Sequence, residues 1–230
     1  LLFPGYQSSI FGAMPVYPSA WTRAYLGLSE VEEVRSAEDV RLIAAGVDAG
    51  GRPEIIKVPI SEYQYYLIEN RTVDVDGKQT AMLADPQTNV FRGPGRLVGQ
   101  DSTELTSEYD FMLPAEEGGV LIYLVDEVVA AMDTLGNGFN NFFNNALQWD
   151  PQRQFVTLME GDGVRNFNGQ CPAGCGFTYQ WYGWEGDMFR EDRQRDFTPG
   201  TVLPAIDNLG NNPHIYIEDI RRDTTTIGDT

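Results

Sequence analysis

Apolar residues first take up a helical spacing near the start of the chain. Pro18 and Ser19 can open a short helix, Trp21, Tyr25 and Leu26 give it an apolar stripe, and Gly27 can end it. Ser29–Arg35 reads as a second short amphipathic stretch. Beyond it the spacing becomes that of strands. Val40–Ala45, Glu54–Ile60 and Tyr63–Asn70 are β-prone runs bounded by Gly, Pro and polar turns, the last two joined near Ser61–Glu62. Val73–Leu83 sets Asp76-Gly77 between alternating residues, a hairpin signal. Residues 84–107 are Gly- and polar-rich and read as an excursion. Val120–Val125 (VLIYLV) is the most apolar run and predicts a buried central strand, with Asp126 and Glu127 at its exit. Phe155–Glu160 predicts another strand that ends in Gly161-Asp162-Gly163. The last third reads as irregular until His214–Ile220, an alternating strand. No linker or internal repeat divides the chain. The expected architecture is mainly β with short helices (α+β), one β-rich domain over residues 1–230.

Length and composition narrow this picture. A chain of 230 residues suits one large domain or two small ones and can bury a real core without a metal framework. The 42% apolar and 12% aromatic content opposes disorder. Against 16 basic side chains stand 34 acidic ones, a formal charge of -18. That balance opposes nucleic-acid binding, which needs clustered Lys and Arg, and adsorption to anionic lipid. No apolar run approaches ~18 residues, so no direct membrane span is expected. A single His excludes sites built from two or three imidazoles, so no HExxH-type zinc site is expected in this chain. The opening LLFPGYQSSIFGAMP has no basic region and no long apolar core, unlike a signal peptide. A start at Leu1 reads either as a partly read chain or as a mature piece cut from a longer precursor.

Cys171 and Cys175 lie in CPAGC, where Pro172 and Gly174 bend the chain. That spacing can bring the sulfurs together in a small local disulfide, which points to an oxidising compartment; two buried free thiols are the alternative. No second pair or nearby His follows to make a zinc knuckle.

Two groups of residues could carry chemistry or recognition. Asp126, Glu127, Glu160 and Asp162 follow two predicted buried strands that can share a sheet. Clustered carboxylates need a cation, and hard oxygen ligands in turns suit calcium, with Asn137, Asn140 and Asn141 as further oxygen donors. The alternative is capping of backbone groups, or pairing with Arg71, Arg153 or Arg165. Glu69-Asn70-Arg71 is a charged tripeptide at a strand end, read as an internal Glu–Arg pair. His214 has no accompanying nucleophile and no G-x-S-x-G element, which gives no case for a triad. The second group is aromatic. Phe139, Phe142 and Phe143 sit in GNGFNNFFNN, where Asn favours turns while Phe needs burial, in the core by preference or against a partner. Trp181, Tyr182 and Trp184 crown FTYQWYGWEGDMF, a density of aromatics that suits an interface, sugar stacking or packing over the core.

Several blocks resemble a known family. PSAWTRAYLGL, QYYLIENR, GGVLIYLVDE, VTLMEGDG, GWEGDMFR with FTPGTVLPAIDN, and IYIEDI follow one another from about Pro15 to Ile220. In that order they resemble the post-catalytic region of the immune inhibitor A family of secreted zinc metallopeptidases. There the counterparts are a Trp-containing helix leading into Leu-Gly-Trp, an EYFLIENR strand, a GLLIWHVDE strand, a V-x-L-x-EADG element, an Asp-x-Phe and Thr-x-Pro region, and a closing strand. The chain departs from the family's pattern at telling positions. The HExxH helix lies upstream of this region in the family and is absent here. Tyr123 and Leu124 stand at the family's Trp-His, Leu28 at the Trp of Leu-Gly-Trp, and Gly161 at the Ala of EADG. A leucine cannot ligate a metal or carry a proton, so peptidase activity does not transfer to these residues.

The resemblance therefore implies a non-enzymatic, extracytoplasmic (periplasmic or secreted) binding or scaffold module. Such a module could be an extrinsic structural subunit of a larger membrane-associated complex. Its expected partner is a protein, either that complex or the missing N-terminal half. The alternative implied is the C-terminal chain of a processed zinc metallopeptidase.

Overall fold

A computed structural model of the protein describes residues 17–37, 39–45, 52–72, 83–84, 86–88, 91–92, 113, 118–165, 167 and 185–223. The strands are β1 (Val31–Glu33), β2 (Ile55–Pro59), β3 (Gln64–Arg71), β4 (Leu83–Ala84), β5 (Phe91–Arg92), β6 (Gly119–Asp126) and β7 (Val156–Met159). The helices are α1 (Ala20–Tyr25) and α2 (Val128–Ala131), with one 3-10 turn at Glu185–Asp187. Five strands form one mixed sheet in the order β1-β2-β3-β6-β7, while β4 and β5 pair separately. The protein is thus mainly β with short helices, in one domain, as the sequence predicts.

β3 and β6 anchor the sheet. They pair antiparallel from Gln64 opposite Asp126 to Arg71 opposite Gly119. Strand alternation then sorts their side chains onto two faces. Tyr65, Leu67, Leu121, Tyr123 and Val125 pack on one face with Ala20, Val129 and Phe155. Tyr66, Ile68, Ile122 and Leu124 pack on the other under Phe189, Phe197, Leu203 and Ala205. Both faces are covered, which is why VLIYLV is continuously apolar instead of alternating. Phe197 closes the second face, its ring edge-on to Tyr66 at 5.1 Å and to Phe189 at 5.5 Å. Full burial of such a side chain contributes about 1.5–3 kcal/mol.

The edge at β7 is covered by a side chain. Gln148 Nε2 donates to Val156 O at 2.6 Å, and Val156 N–H donates to Gln148 Oε1 at 3.2 Å. The amide of Gln148 thus does at Val156 what a neighbouring strand would do and blunts the edge there.

Several elements differ from expectation. α1 starts and stops where the sequence indicates: Ser19 Oγ accepts the Thr22 N–H, and Gly27 follows with φ +66°. Its buried face, however, is Ala20 and Arg23, while Tyr25 is 66% and Leu26 60% exposed. Of the predicted stripe, Trp21 packs inward, edge-on to Phe155 at 5.1 Å, while Tyr25 and Leu26 turn out to solvent. Ser29–Arg35 is not an amphipathic stretch of helix but carries β1, held parallel to β2 with Val31 opposite Ile55. Val40–Ala45 contributes one bridge, Ala44 to Asn70, and His214–Ile220 one bridge, Ile217 to Phe197, in place of full strands. The hairpin expected at Asp76-Gly77 lies outside the described residues.

Candidate functional site

The charged tripeptide at the end of β3 is the heart of a buried polar network. Glu69 and Arg71 sit on the same face as Tyr65 and Leu67 because they continue the same alternation, and both are fully buried. Arg23 reaches them from α1. Its Nη2 lies 2.6 Å from Glu69 Oε2, and its Nη1 lies 2.6 Å from Glu54 Oε2 and 2.7 Å from Ser29 Oγ. Arg71 Nη1 donates to Glu69 Oε1 at 3.1 Å, and the Tyr123 hydroxyl donates to the same oxygen at 2.6 Å. Arg71 Nη2 also donates to Tyr17 O at 3.2 Å. The Tyr17 ring lies under both guanidiniums, 5.0 Å from Arg23 and 5.2 Å from Arg71. Burial raises the Tyr17 hydroxyl pKa above its ordinary value, with Glu54 and Glu69 adding to the effect and Arg23 and Arg71 opposing it.

Two arginines here face two glutamates, so the cluster is neutral as well as hydrogen-bonded. A buried charge is tolerated under that condition. The expected Glu69–Arg71 pair is present. Sequence reasoning did not find Arg23 or Tyr123, because their partners lie 46 and 54 residues away along the chain.

The four carboxylates proposed for calcium are not gathered. β6 and β7 do share the sheet, but they run antiparallel, with Val125 opposite Val156 and Ile122 opposite Met159. Asp126 and Glu127 therefore leave it at one end and Glu160 and Asp162 at the other, roughly 15 Å apart at ~3.3 Å per residue. Each has local partners instead. Asp126 is buried; its Oδ1 accepts the Val128 N–H at 3.1 Å, and its Oδ2 takes Arg153 Nη2 at 2.9 Å and Asn208 Nδ2 at 3.1 Å. Glu127 Oε1 accepts the Tyr65 hydroxyl at 2.9 Å. Burial first, then this bond, raises the Tyr65 pKa. Glu160 Oε1 accepts the Phe167 N–H at 3.3 Å, and Asp162 Oδ1 the Val164 N–H at 2.8 Å. Among the described residues, no three His, Cys, Asp or Glu side chains form a group that could hold a metal ion. Asp162 lines a shallow cavity of about 180 Å³ with Gly161, Gly186, Arg193, Gln194 and Val202.

The aromatic loop is where the structure departs most from expectation. The core was the preferred destination for Phe139, Phe142 and Phe143, yet they are 59%, 59% and 79% exposed, and Trp149 is 68% exposed. The asparagines explain how. Asn141 is the buried anchor: its Oδ1 accepts the Thr134 N–H at 2.9 Å, and its Nδ2 donates to Val129 O at 2.9 Å. Asn137 and Asn144 exchange side-chain amide hydrogen bonds, each at 3.0 Å. Asn140 Oδ1 accepts the Phe143 N–H at 2.9 Å. Asp133 receives the N–H groups of Asn137 and Gly138 at 3.2 and 2.8 Å. The side-chain oxygens of Asn137, Asn140 and Asn141, expected as cation donors, already accept hydrogen bonds within the loop. That framework holds the Phe139 and Phe143 rings face to face, 6.3 Å apart, in solvent.

A signal missed in the sequence recurs here. Asp133-Thr-Leu-Gly-Asn137 and Asp207-Asn-Leu-Gly-Asn211 are the same turn. In both, the Asp carboxylate accepts the N–H four residues on, and Gly136 (φ +66°) or Gly210 (φ +85°) takes the left-handed position. Hydrogen bonds from Asn211, Leu209 and Gly210 hold the Asp207 carboxyl below its ordinary pKa against the opposing effect of burial. The Asp207 turn packs on the same sheet end as the aromatic loop, with Asn208 bonded to Gln64, Asp126 and Gln154.

His214 is exposed, and its N–H donates to Asn212 Oδ1 at 2.7 Å. Cys171 and Cys175, with the disulfide expected between them, and Trp181, Tyr182 and Trp184 lie outside the described residues. Among the described residues no helix is long and apolar enough to cross a membrane. No protein-family model, curated protein or solved structure matches the chain.

Proposed function

We propose that the chain is a non-catalytic extracytoplasmic binding or scaffold module, an extrinsic structural subunit of a larger membrane-associated assembly. The observation that carries this reading is the loop from Asp133 to Asp150. It presents Phe139, Phe142, Phe143 and Trp149 to solvent on a hydrogen-bonded frame. Fixed, exposed aromatics offer apolar area to a partner at little entropic cost, since the loop is already ordered.

The test is a photo-reactive residue at position 143, used in the extracytoplasmic fraction of the producing cell. A discrete protein adduct, absent from a control at position 214, is the expected result. Equal labelling from both positions would contradict the reading. So would zinc-dependent, chelator-sensitive peptide hydrolysis by this chain alone.

A second reading, the C-terminal chain of a processed zinc metallopeptidase, is favoured by one observation. The buried network joins Arg23 and Glu69, one from each of the blocks PSAWTRAYLGL and QYYLIENR that carry the family resemblance. Its test is the precursor: an HExxH segment that co-purifies with this chain would replace the scaffold reading.

A further inference from the structure

The aromatic loop is apolar at its centre and acidic at its margin. Between Arg96 and Arg153 the sequence holds no Lys, Arg or His. Arg153 itself is bound to Asp126 through Nε at 3.0 Å and Nη2 at 2.9 Å. Several carboxylates lie at the same end of the sheet as the aromatic loop. Asp133 and Asp150 bracket the loop. Glu127 is exposed at the exit of β6, where its N–H donates to Tyr63 O and so brings it beside the Glu62 turn. Asp207 lies on the neighbouring turn, which Asn208 ties to Asp126.

This pattern discriminates among occupants. An anionic lipid surface would be repelled by the carboxylates. A second copy of the chain would bring two acidic margins together, and like charges across an interface cost affinity. A partner with an apolar stripe flanked by Lys and Arg satisfies both the centre and the margin.

We propose that this end of the sheet docks a basic amphipathic segment of a partner protein. Phe139, Phe142, Phe143 and Trp149 meet its apolar face. Glu62, Glu127 and Asp150 meet its cations. The proposal rests on the binding reading above and adds the chemistry of the partner.

The test uses three labelled peptides and fluorescence anisotropy on the whole chain. One is a Leu/Lys peptide with helical amphipathic spacing, the second has the same composition in scrambled order, and the third replaces Lys by Glu. The first should bind at least about tenfold more tightly than either control, as hot-spot aromatics and complementary charge require. The double variant Phe142→Asn/Phe143→Asn should lose about tenfold in affinity, while Glu62→Gln/Glu127→Gln should lose a few-fold and flatten the salt dependence. Equal binding of the scrambled peptide, no peptide binding, or full affinity in the aromatic variant would overturn the proposal. Binding to phosphatidylcholine vesicles in preference to the peptide would also overturn it, by assigning the surface to neutral lipid. If the peptides fail while the discrete adduct at position 143 persists, the partner chemistry is wrong and the binding reading stands. If both fail, both fall.

Discussion

Two regions of this protein invert the usual placement of residue types. Around Glu69, two arginines and a glutamate lie inside the fold with less than a few per cent of their surface exposed. In the loop from Asp133 to Asp150, three phenylalanines and a tryptophan lie outside it. The difference lies in what each group still lacks. Every charge in the network has an opposite charge or a hydroxyl within hydrogen-bond distance, and Arg23 Nε is the one donor of this group left without a hydrogen-bond partner. The loop's polar groups are equally satisfied, by Asn141, Asn137 and Asn144, but its rings are not. One region is a closed internal joint between α1, β2, β3 and β6. The other is a rigid surface with apolar area to offer.

The sharpest way to break the comparison is at the joint. Glu69→Gln leaves Arg23 and Arg71 facing each other without their shared counter-charge. It should destabilise the fold by about 3–5 kcal/mol, read as a drop in the urea midpoint. A change below 1 kcal/mol would mean that the network is not buried in solution. Tyr123→Phe removes only the hydroxyl donated to Glu69. A loss of about 1.5–3 kcal/mol is expected, the range for a hydrogen bond to a charged group.

On the other side of the comparison, Asn141→Ala removes the loop's buried anchor and its bonds to Thr134 and Val129. It should cost about 1–3 kcal/mol and raise amide exchange across residues 134–145 before the rest of the sheet. Simultaneous loss of protection in both places would mean that the loop has no frame of its own.

Alkaline titration should act on the core side alone. Burial raises the hydroxyl pKa values of Tyr17, Tyr65 and Tyr66, with the Glu127 bond adding to it at Tyr65 and the Asp207 charge at Tyr66. In each case the folded state holds its proton more tightly than the unfolded chain, whose tyrosines titrate near pH ~10. Stability from these groups is therefore complete below pH ~10 and declines above it, as the unfolded chain releases protons that the fold retains. A urea midpoint that rises above that pH would contradict the sign.

Much of the sheet was legible in the sequence. β2, β3, β6 and β7 follow from β-branched and aromatic runs bounded by turn residues, and α1 from Ser19 and Gly27. What was not legible depends on distant partners. Local spacing makes Tyr25 and Leu26 the inward face of α1, but Glu54 and Glu69 turn Arg23 inward instead. β1 exists because β2 pairs with it, and three residues carry too little pattern to reveal that. The two strands share a sheet as expected, but their antiparallel direction, which periodicity does not encode, sends the two carboxylate pairs to opposite ends. The aromatic loop was misplaced for a different reason. Composition says that phenylalanine seeks burial, whereas the Asn-to-Asn bonds that hold these rings out become visible only in three dimensions.

The smallest expected effect tests the central claim most directly. Phe139→Asn, Phe142→Asn and Phe143→Asn, combined in one chain, should leave the urea unfolding free energy unchanged to within about 0.5 kcal/mol, as for surface substitutions. That outcome would place the three rings in service of a partner and not of the fold. A loss of several kcal/mol would put them in the core in solution and remove the basis for a binding surface.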